Sequence, residues 1–171
     1  SIICDITSMK SLKNLKNYEF DYVFHLAGLT DVKRSIENPI ECFNVNINGT
    51  INLLELLRNK KLISFNLISS VGVLSKSNSL PISEKALYGP TTPYAASKMS
   101  AESILQAYGD CYNLPFHITR LFNVYGPGKY GLVIYDFIKK LILNQNELEI
   151  HGDGEQIRDF LFIDDVVKGI E

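Results

Sequence analysis

The order of apolar and polar positions predicts that strands and helices alternate along this chain. Four short apolar runs predict buried strands, at residues 1–6, 22–26, 62–68 and 116–122. Apolar positions at helical spacing predict helices over residues 39–60, 94–112 and about 132–143. Two shorter strands are predicted at 148–150 and 160–163, before a final helix that begins after Asp165. This alternation predicts an α/β fold, with a doubly wound parallel sheet joined by right-handed crossovers.

Residues that bind a ligand are expected at one edge of this sheet. In doubly wound sheets, ligands bind outside the carboxyl ends of the strands. The residues at the predicted carboxyl ends are Asp5, Ala27, Gly28, Ser69, Ser70, Phe122 and Asn123. Ala27 and Gly28 carry little side chain, so the backbone there can approach a bound molecule closely.

Composition narrows the classes of partner. The 171 residues are 46% hydrophobic, which is enough for a full core. A net charge of -2 with scattered Lys and Arg argues against a nucleic-acid or membrane surface, so small molecules are the expected ligands. No apolar run approaches the roughly 20 residues of a membrane span, and no signal peptide opens the chain, which predicts a cytoplasmic protein.

The cysteines point to the same compartment. Cys4, Cys42 and Cys111 are odd in number and widely spaced. They therefore predict neither a disulfide framework nor a metal site, and they indicate a reducing environment.

The stretch from Tyr94 to Lys98 is the strongest candidate for chemistry. Thr92 can cap a helix here and Pro93 can open it, so Tyr94 and Lys98, four positions apart, share one helix face. A lysine charge beside a tyrosine stabilises the phenolate and can bring its pKa of about 10 towards neutral pH. Such a tyrosine is a usable general acid and base for alcohol-to-ketone chemistry. The serine-bearing strand end at Ser70 lies upstream.

Other residues of the same types are not expected to act. Tyr125 and Lys129 have the same spacing but flank a Gly-Pro-Gly segment that cannot be helical. A third match, Tyr135-x-x-x-Lys139, lies on an amphipathic helix, where a packed tyrosine and a solvated lysine are expected. Two histidines inside strand patterns are predicted to be packed, neutral and without a role: His25 and His117.

Seven segments together resemble the extended short-chain dehydrogenase/reductase family, in its branch of NAD-dependent nucleotide-sugar epimerases and dehydratases. They are residues 5–6, 25–28, 44–50, 69–70, 94–98, 120–128 and 152–160. Each segment alone is weak, but their occurrence in family order makes a chance match improbable. The resemblance implies a Rossmann-like sheet and a UDP-sugar 4-epimerase-like activity.

The resemblance also implies roles for individual residues. The implied catalytic residues are Ser70, Tyr94 and Lys98. Tyr94 would exchange a proton with the sugar C4 hydroxyl, Ser70 would orient or relay that proton, and Lys98 would hold the nicotinamide ribose and lower the Tyr94 pKa. The implied contacts to NAD, with NADP not excluded, are Asp5, Ile6, Leu26, Ala27, Gly28, Thr30, Asn46, Ser69, Tyr94, Lys98 and Phe122. The implied contacts to the sugar nucleotide are Ser70, Asn123 and Arg158, and no metal is implied.

Several of these roles have plainer alternatives. Asp5 could instead cap the segment that follows it, and Ser70 could merely satisfy backbone groups. Asn46 could be a polar surface residue instead of an amide that braces the active-site backbone. Arg158 is suited to clamp a diphosphate, but it could also be a surface arginine paired with a neighbouring carboxylate.

The resemblance predicts that the family pattern extends beyond both ends of the chain. The glycine-rich phosphate loop and the ribose-binding acid are expected before Ser1, so the choice between NAD and NADP is open. Residues 1–128 are predicted to be a partial dinucleotide-binding domain and 129–171 the start of a substrate-binding region. The full-length protein is expected to be a homodimer.

The residues after Ser70 favour one reaction of the family. Val71, Gly72 and Val73 occupy the positions at which the family's 4,6-dehydratases carry an Asp-Glu acid/base pair. Epimerisation at C4 through a 4-keto intermediate is therefore the expected reaction. A decarboxylase, a reductase and a dehydratase of the same family remain alternatives, as does a catalytically inert nucleotide-binding fragment.

Overall fold

Five strands form two parallel sheets in the computed structural model, which describes residues 1–74, 76, 80–144, 146–150 and 152–171. The strands of the first sheet, in the order β1-β2-β3, are β1 (Tyr22–His25), β2 (Ser64–Ser70) and β3 (Phe116–Leu121). The second sheet pairs β4 (Asn123–Tyr125) with β5 (Phe160–Phe162). Strands β1 and β2 are parallel, as are β4 and β5, so the predicted α/β fold with parallel strands is confirmed.

Helices separate most of these strands. They are α1 (Met9–Leu12), α2 (Val32–Glu37), α3 (Pro39–Phe43), α4 (Gly49–Leu57), α5 (Pro93–Tyr112), α6 (Val133–Leu143) and α7 (Ile163–Ile170). The predicted helices over 94–112 and 132–143 are confirmed, whereas α2 was not predicted. None of the helices in the described parts of the chain is long and apolar enough to cross a membrane.

The helix predicted over residues 39–60 contains a wider turn. A π-helical segment, Asn44–Asn48, lies between α3 and α4, and the Gly49 N–H bonds to the Asn44 carbonyl five residues earlier. Such π-turns are uncommon and occur often at functional sites. Pro39 is the first helical residue, as expected, but the side chain of Asn38 forms no capping bond.

The core of the first sheet joins β2 to helices α4 and α5. Its fully buried side chains include Phe65 and Leu67 from β2, Leu54 and Leu57 from α4, and Leu105 from α5. Each such side chain contributes about 1.5–3 kcal/mol by its removal from water. This packing fixes α5, and therefore Tyr94, against the strand that ends at Ser70.

Two predicted strands are absent from the described chain. Residues 1–5 have no regular structure, Ile3 is 95% exposed, and a turn begins where the Ser8 N–H bonds to the Asp5 carbonyl. The first sheet ends at β1, and residues 1–5 form no ladder with its free edge. Residues 148–150 are likewise irregular. The Glu149 carbonyl accepts a hydrogen bond from the Lys140 ammonium and not from a neighbouring strand.

Strand β1 is not buried on both faces, contrary to the prediction. His25 is 4% exposed, but Tyr22 and Phe24 are 55% and 47% exposed. Successive side chains of a strand point to opposite faces, so only one face of β1 packs tightly.

The chain divides into two compact units, residues 1–120 and 121–171. The first unit holds β1 to β3 and helices α1 to α5, and the second holds β4, β5, α6 and α7. The assignment of dinucleotide and substrate binding to separate parts of the chain stays a prediction.

Candidate active site

The structure brings the hydroxyl groups of Ser70 and Tyr94 together at the carboxyl end of β2. Ser70 is the last residue of β2, and Tyr94 lies in the first turn of α5. The Ser70 hydroxyl lies close enough to the Tyr94 phenol to act on its pKa. Because the Ser70 oxygen already accepts a bond from the Gly72 N–H at 3.2 Å, its own proton is available to Tyr94.

The start of α5 is fixed by three serine or threonine side chains. Thr92 accepts a bond from the Ala95 N–H at 3.2 Å, which confirms the predicted cap. The Tyr94 N–H donates to the fully buried Ser35 hydroxyl oxygen at 3.2 Å. Ser97 donates to the Tyr94 carbonyl at 2.7 Å. The backbone of Tyr94 is therefore held from both sides.

Lys98 is buried one turn beyond Tyr94. Its side chain reaches back to the strand, where Nζ donates to the Ile68 carbonyl at 2.8 Å. A Cβ built on Gly28 would lie 3.6 Å from this Nζ and only 3.0 Å from Asn46 Oδ1. The absence of a side chain at Gly28 is therefore what allows the β1 end to pack against these two polar groups.

The pKa of Tyr94 moves in the opposite direction to the prediction. Burial raises it above 10, although the hydrogen bond from Ser70 acts to lower it and the Cys42 thiol adds to the increase. Burial also lowers the pKa of Lys98, against the opposing effects of Cys42 and Glu102. Because burial is the largest effect on the Tyr94 pKa, the predicted lowering of that pKa by Lys98 does not occur in this structure, where the ammonium donates to the Ile68 carbonyl.

Asn46 braces the backbone after β1 from inside the π-helical turn. It is 3% exposed, and its amide accepts from the Leu29 N–H at 2.7 Å while donating to the Leu29 carbonyl at 2.9 Å. It also donates to the Ser97 hydroxyl oxygen at 2.8 Å. The surface alternative for Asn46 is excluded, whereas a contact to NAD stays a prediction.

His25 is a buried neutral histidine, as predicted. The Thr50 hydroxyl donates to the Asn46 carbonyl at 2.6 Å, so its oxygen accepts from His25 Nε2 at 2.9 Å. Burial, with a smaller effect of the nearby Lys98 charge, lowers the pKa of His25 to about 4. The prediction of packing is wrong for His117, which is exposed and bonds to the Ser64 hydroxyl.

This histidine predicts a loss of stability in acid. The pKa of His25 in the folded chain, about 4, lies below its ordinary value of 6.5. The stability that neutral His25 contributes to the folded chain is therefore complete above pH 6.5 and is lost as the pH falls towards 4. Between pH 7.5 and 4.5 the free energy of unfolding should fall by about 2.5 kcal/mol more in the wild type than in His25→Gln, which keeps an amide donor. Urea unfolding at both pH values measures this, and equal losses would contradict it.

The other predicted NAD contacts lie at the same edge of the first unit. Leu26 is 65% exposed directly after the buried His25, and Ala27 and Thr30 are also exposed. The exposed Asp5 carboxylate accepts from both the N–H and the hydroxyl of Thr7, at 2.9 and 2.8 Å. Asp5 therefore does cap the segment that follows it.

Two further residues that were predicted to contact NAD, Ile6 and Ser69, form contacts with other residues of the protein. Ile6 packs against Gly49, and its carbonyl accepts from Asn52 at 3.0 Å. Ser69 is buried, and its hydroxyl donates to Glu102.

The second unit contains a cleft that includes Arg158. This cleft of about 780 Å³ is lined by α6, including Lys139, and by residues from Ile150 to Phe160. Arg158 is exposed and donates to the Ile157 carbonyl at 2.8 Å. The Asn123 amide donates to the Asp159 carbonyl at 3.0 Å, and Phe122 is 37% exposed. The contacts predicted for Phe122, Asn123 and Arg158 stay predictions.

Sequence reasoning gave no role to Glu102, Ser97 or Cys42. Ser97 and Cys42 are fully buried beside Asn46, and Glu102 is 1% exposed. A usable signal was present for Glu102, because it follows Lys98 by four positions and therefore lies on the same helix face. Among the described residues, no group of three or more His, Cys, Asp or Glu side chains is arranged to hold a metal ion.

Comparison of this chain with known proteins identifies its family. The UDP-glucuronate 4-epimerase of Thermodesulfobacterium geofontis is 39% identical over 96% of this chain and 51% of its own length. The dTDP-D-glucose 4,6-dehydratase of Dictyostelium discoideum is 37% identical over 98% of this chain and 41% of its own length. The chain therefore spans about half the length of these curated relatives.

A solved structure agrees with these relatives. RMD from Pseudomonas aeruginosa, complexed with NADPH, superposes with a TM-score of 0.91 at 33% identity, over 98% of this chain and 60% of that one. The model of the family described as "NAD dependent epimerase/dehydratase family" matches residues 1–171. The chain belongs to the NAD-dependent epimerase/dehydratase family.

Proposed function

We propose that this chain carries the catalytic residues of a nucleotide-sugar 4-epimerase that uses NAD. The observation that carries the proposal is the convergence of the Ser70 and Tyr94 hydroxyl groups at the carboxyl end of β2, with Lys98 one helical turn away. A phenol and a hydroxyl in this arrangement can hold a sugar hydroxyl and exchange a proton with it.

Each residue of the pair has a separate task in this reaction. Tyr94 takes the proton of the C4 hydroxyl as the alcohol becomes a ketone, and it returns a proton when the alcohol forms again. Against the effect of burial, the Ser70 hydroxyl acts to lower the pKa of Tyr94, which favours the phenolate. Bound NAD would supply the hydride chemistry, by accepting hydride from C4 and returning it to the other face of the sugar.

The residues present fit a dinucleotide at this edge of the sheet. Leu26 and Ala27 leave an exposed, largely apolar surface beside the buried Lys98, and Gly28 keeps the backbone open there. Asp5, Ile6, Thr30, Asn46 and Ser69 complete the proposed NAD contacts in the first unit, and the contact predicted for Phe122, in the second unit, stays a separate prediction. We assign Asn123 and Arg158 to the nucleotide sugar, since a guanidinium suits a diphosphate.

The segment after Ser70 supports epimerisation over loss of water. Residues Val71–Leu74 form a 3₁₀ turn in which Val73 is fully buried, and this turn contains no carboxylate. A 4,6-dehydratase needs an acid and a base to remove water after the oxidation at C4. Dehydration remains the second candidate, because one of the relatives is a dTDP-D-glucose 4,6-dehydratase. Cytoplasmic location and a homodimeric whole protein remain predictions.

The proposal predicts turnover without net oxidation. The chain, incubated with NAD and either UDP-glucose or UDP-glucuronate, should form the C4 epimer with no accumulation of NADH, because the hydride is returned in every cycle. Chromatography of the sugar nucleotides and the absorbance of NADH together measure this.

The other outcomes separate the alternatives. NADH formed in proportion to product would indicate a dehydrogenase or a reductase, and a 4-keto-6-deoxy sugar would indicate a dehydratase. No conversion of either substrate would favour an inert nucleotide-binding fragment.

A further inference from the structure

Glu102 is a buried carboxylate that the proposed reaction does not use directly. Its side chain has no exposed surface, and it accepts hydrogen bonds from three other side chains. Ser69 donates to Oε1, Tyr88 donates to Oε2 at 2.7 Å, and Arg120 donates to Oε2 at 2.7 Å. A buried carboxylate with this many donors is held in one orientation.

Helix α5 holds the end of β2 through three side chains on one face. Tyr94, Lys98 and Glu102 are spaced by four positions, so they project from α5 in a row. Two of them bond to consecutive strand residues, Lys98 to the Ile68 carbonyl and Glu102 to Ser69, and Tyr94 faces the next strand residue, Ser70. Glu102 is therefore the side chain of this row that binds Ser69, the residue directly before Ser70.

Arg120 connects the contact between Glu102 and Ser69 to two other parts of the first unit. It lies in β3, and its guanidinium donates to Glu102 through both Nε and Nη2. It also donates to the Glu84 carbonyl at 3.1 Å, and it stacks 5.1 Å from the centre of the Tyr88 ring. The β2 end, β3 and the segment that leads to α5 are thus joined at one carboxylate.

We propose that Glu102 is a positioning residue that, through Ser69, holds the Ser70 hydroxyl in place against Tyr94. This inference depends on the proposed function in one respect, namely that the Ser70–Tyr94 pair is a proton-transfer site. Glu102 does not touch the reacting atoms. Its effect on the reaction passes through the position of the strand end.

The chemistry of the side chain explains why a carboxylate is needed. An ionised carboxylate has only acceptor sites, about four in number, so it can serve the Ser69, Tyr88 and Arg120 donors together. A glutamine would direct its NH₂ group at one of these donors, and an aspartate is one methylene too short to reach them from the same helix position. Burial lowers the pKa of Lys98, and the negative charge of Glu102 opposes that effect, which favours the charged ammonium that binds Ile68.

Two variants and one matched control test the proposal. Ser69→Ala cuts the bond between Glu102 and the strand end and leaves the Glu102–Arg120 pair intact. Glu102→Gln keeps the size of the side chain but removes its charge. Glu55→Gln is the control, because Glu55 also accepts from a tyrosine, Tyr108, and pairs with an arginine, Arg58, at 3.4 Å.

The first readout does not depend on turnover. Each ligand-free variant is labelled with carbon-13 at the tyrosine Cζ, and Tyr94→Phe identifies the Tyr94 signal among the nine tyrosines. We expect this signal to move in Ser69→Ala and in Glu102→Gln, because the hydrogen bond from Ser70 changes, and to stay in place in Glu55→Gln. An unmoved Tyr94 signal in folded Ser69→Ala would overturn the proposal, even if Glu102→Gln does not fold.

The second readout uses UDP-glucose and NAD. We expect kcat to fall about 10-fold in Ser69→Ala and about 100-fold in Glu102→Gln, with KM changed less than about 3-fold. A lower melting temperature with unchanged kcat would show a purely structural role and would also overturn the proposal. If the wild type shows no turnover but the Tyr94 signal moves as expected, positioning is supported and the proposed function fails.

Discussion

Replacement of Tyr94 by phenylalanine should lower kcat for nucleotide-sugar epimerisation by about 10²- to 10⁴-fold, while NAD still binds. In the proposed reaction the phenol oxygen exchanges a proton with the C4 hydroxyl, and the substitution removes only that oxygen. The ring still fills its half-buried position in the first turn of α5, and the backbone bonds to Ser35 and Ser97 do not involve the side chain. Steady-state kinetics with UDP-glucose, together with calorimetric titration of NAD, measure the two effects separately.

Tyr135→Phe is the matched control. Tyr135 also precedes a lysine, Lys139, by four positions on a helix, but it lies in the second unit on α6. Its substitution should leave kcat within about 2-fold of the wild type. Activity of Tyr94→Phe in that same range would remove Tyr94 from the mechanism.

The alternation of strands and helices could be predicted because hydrophobic periodicity carries local information. The start of α5 is the clearest example, since the Thr92 cap and Pro93 at the first helical position act within one turn of chain. The segment at residues 1–6 shows where this reasoning fails. An apolar run fits a strand, but a strand also requires a ladder with a neighbour, and residues 1–5 form none with the free edge of β1.

Part of the candidate site could also be predicted, and part could not. The spacing from Tyr94 to Lys98 placed both residues on one face of α5, and the structure adds Ser70 beside the Tyr94 phenol. The target of Lys98 depends on how α5 packs against β2, which no local pattern reports. The lysine donates to the Ile68 carbonyl, and burial controls the pKa of Tyr94.

Glu102 and Asn46 show a related limit of sequence reasoning. A polar residue on a helix is usually solvated, and only its tertiary partners reveal that it is buried. Glu102 meets a strand serine and a strand arginine, and Asn46 meets the backbone of Leu29 through a π-helical turn. Neither set of contacts lies within one turn of helix, so the sequence pattern does not encode it.

Replacement of Asn46 by alanine should lower the free energy of unfolding by about 2–5 kcal/mol. The amide accepts from the Leu29 N–H and donates to the Leu29 carbonyl, and Leu29 is only 9% exposed. Each buried polar group left without a partner destabilises the fold by about 1–3 kcal/mol, and alanine leaves both backbone groups of Leu29 in that state. Urea unfolding followed by circular dichroism measures the change.

Asn48→Ala separates the bracing role of Asn46 from the general effect of losing an asparagine in this helix. Asn48 lies two positions later in the same π-helical turn, but it is exposed, and its amide donates to the Asn44 side chain at 3.0 Å. Its replacement should change the free energy of unfolding by no more than about 0.5 kcal/mol. Equal losses in the two variants would mean that the helix tolerates alanine poorly at either position and that the bonds to Leu29 contribute little. A large loss confined to Asn46→Ala would show that the backbone after β1, where the proposed NAD contacts begin, is held in place by this amide.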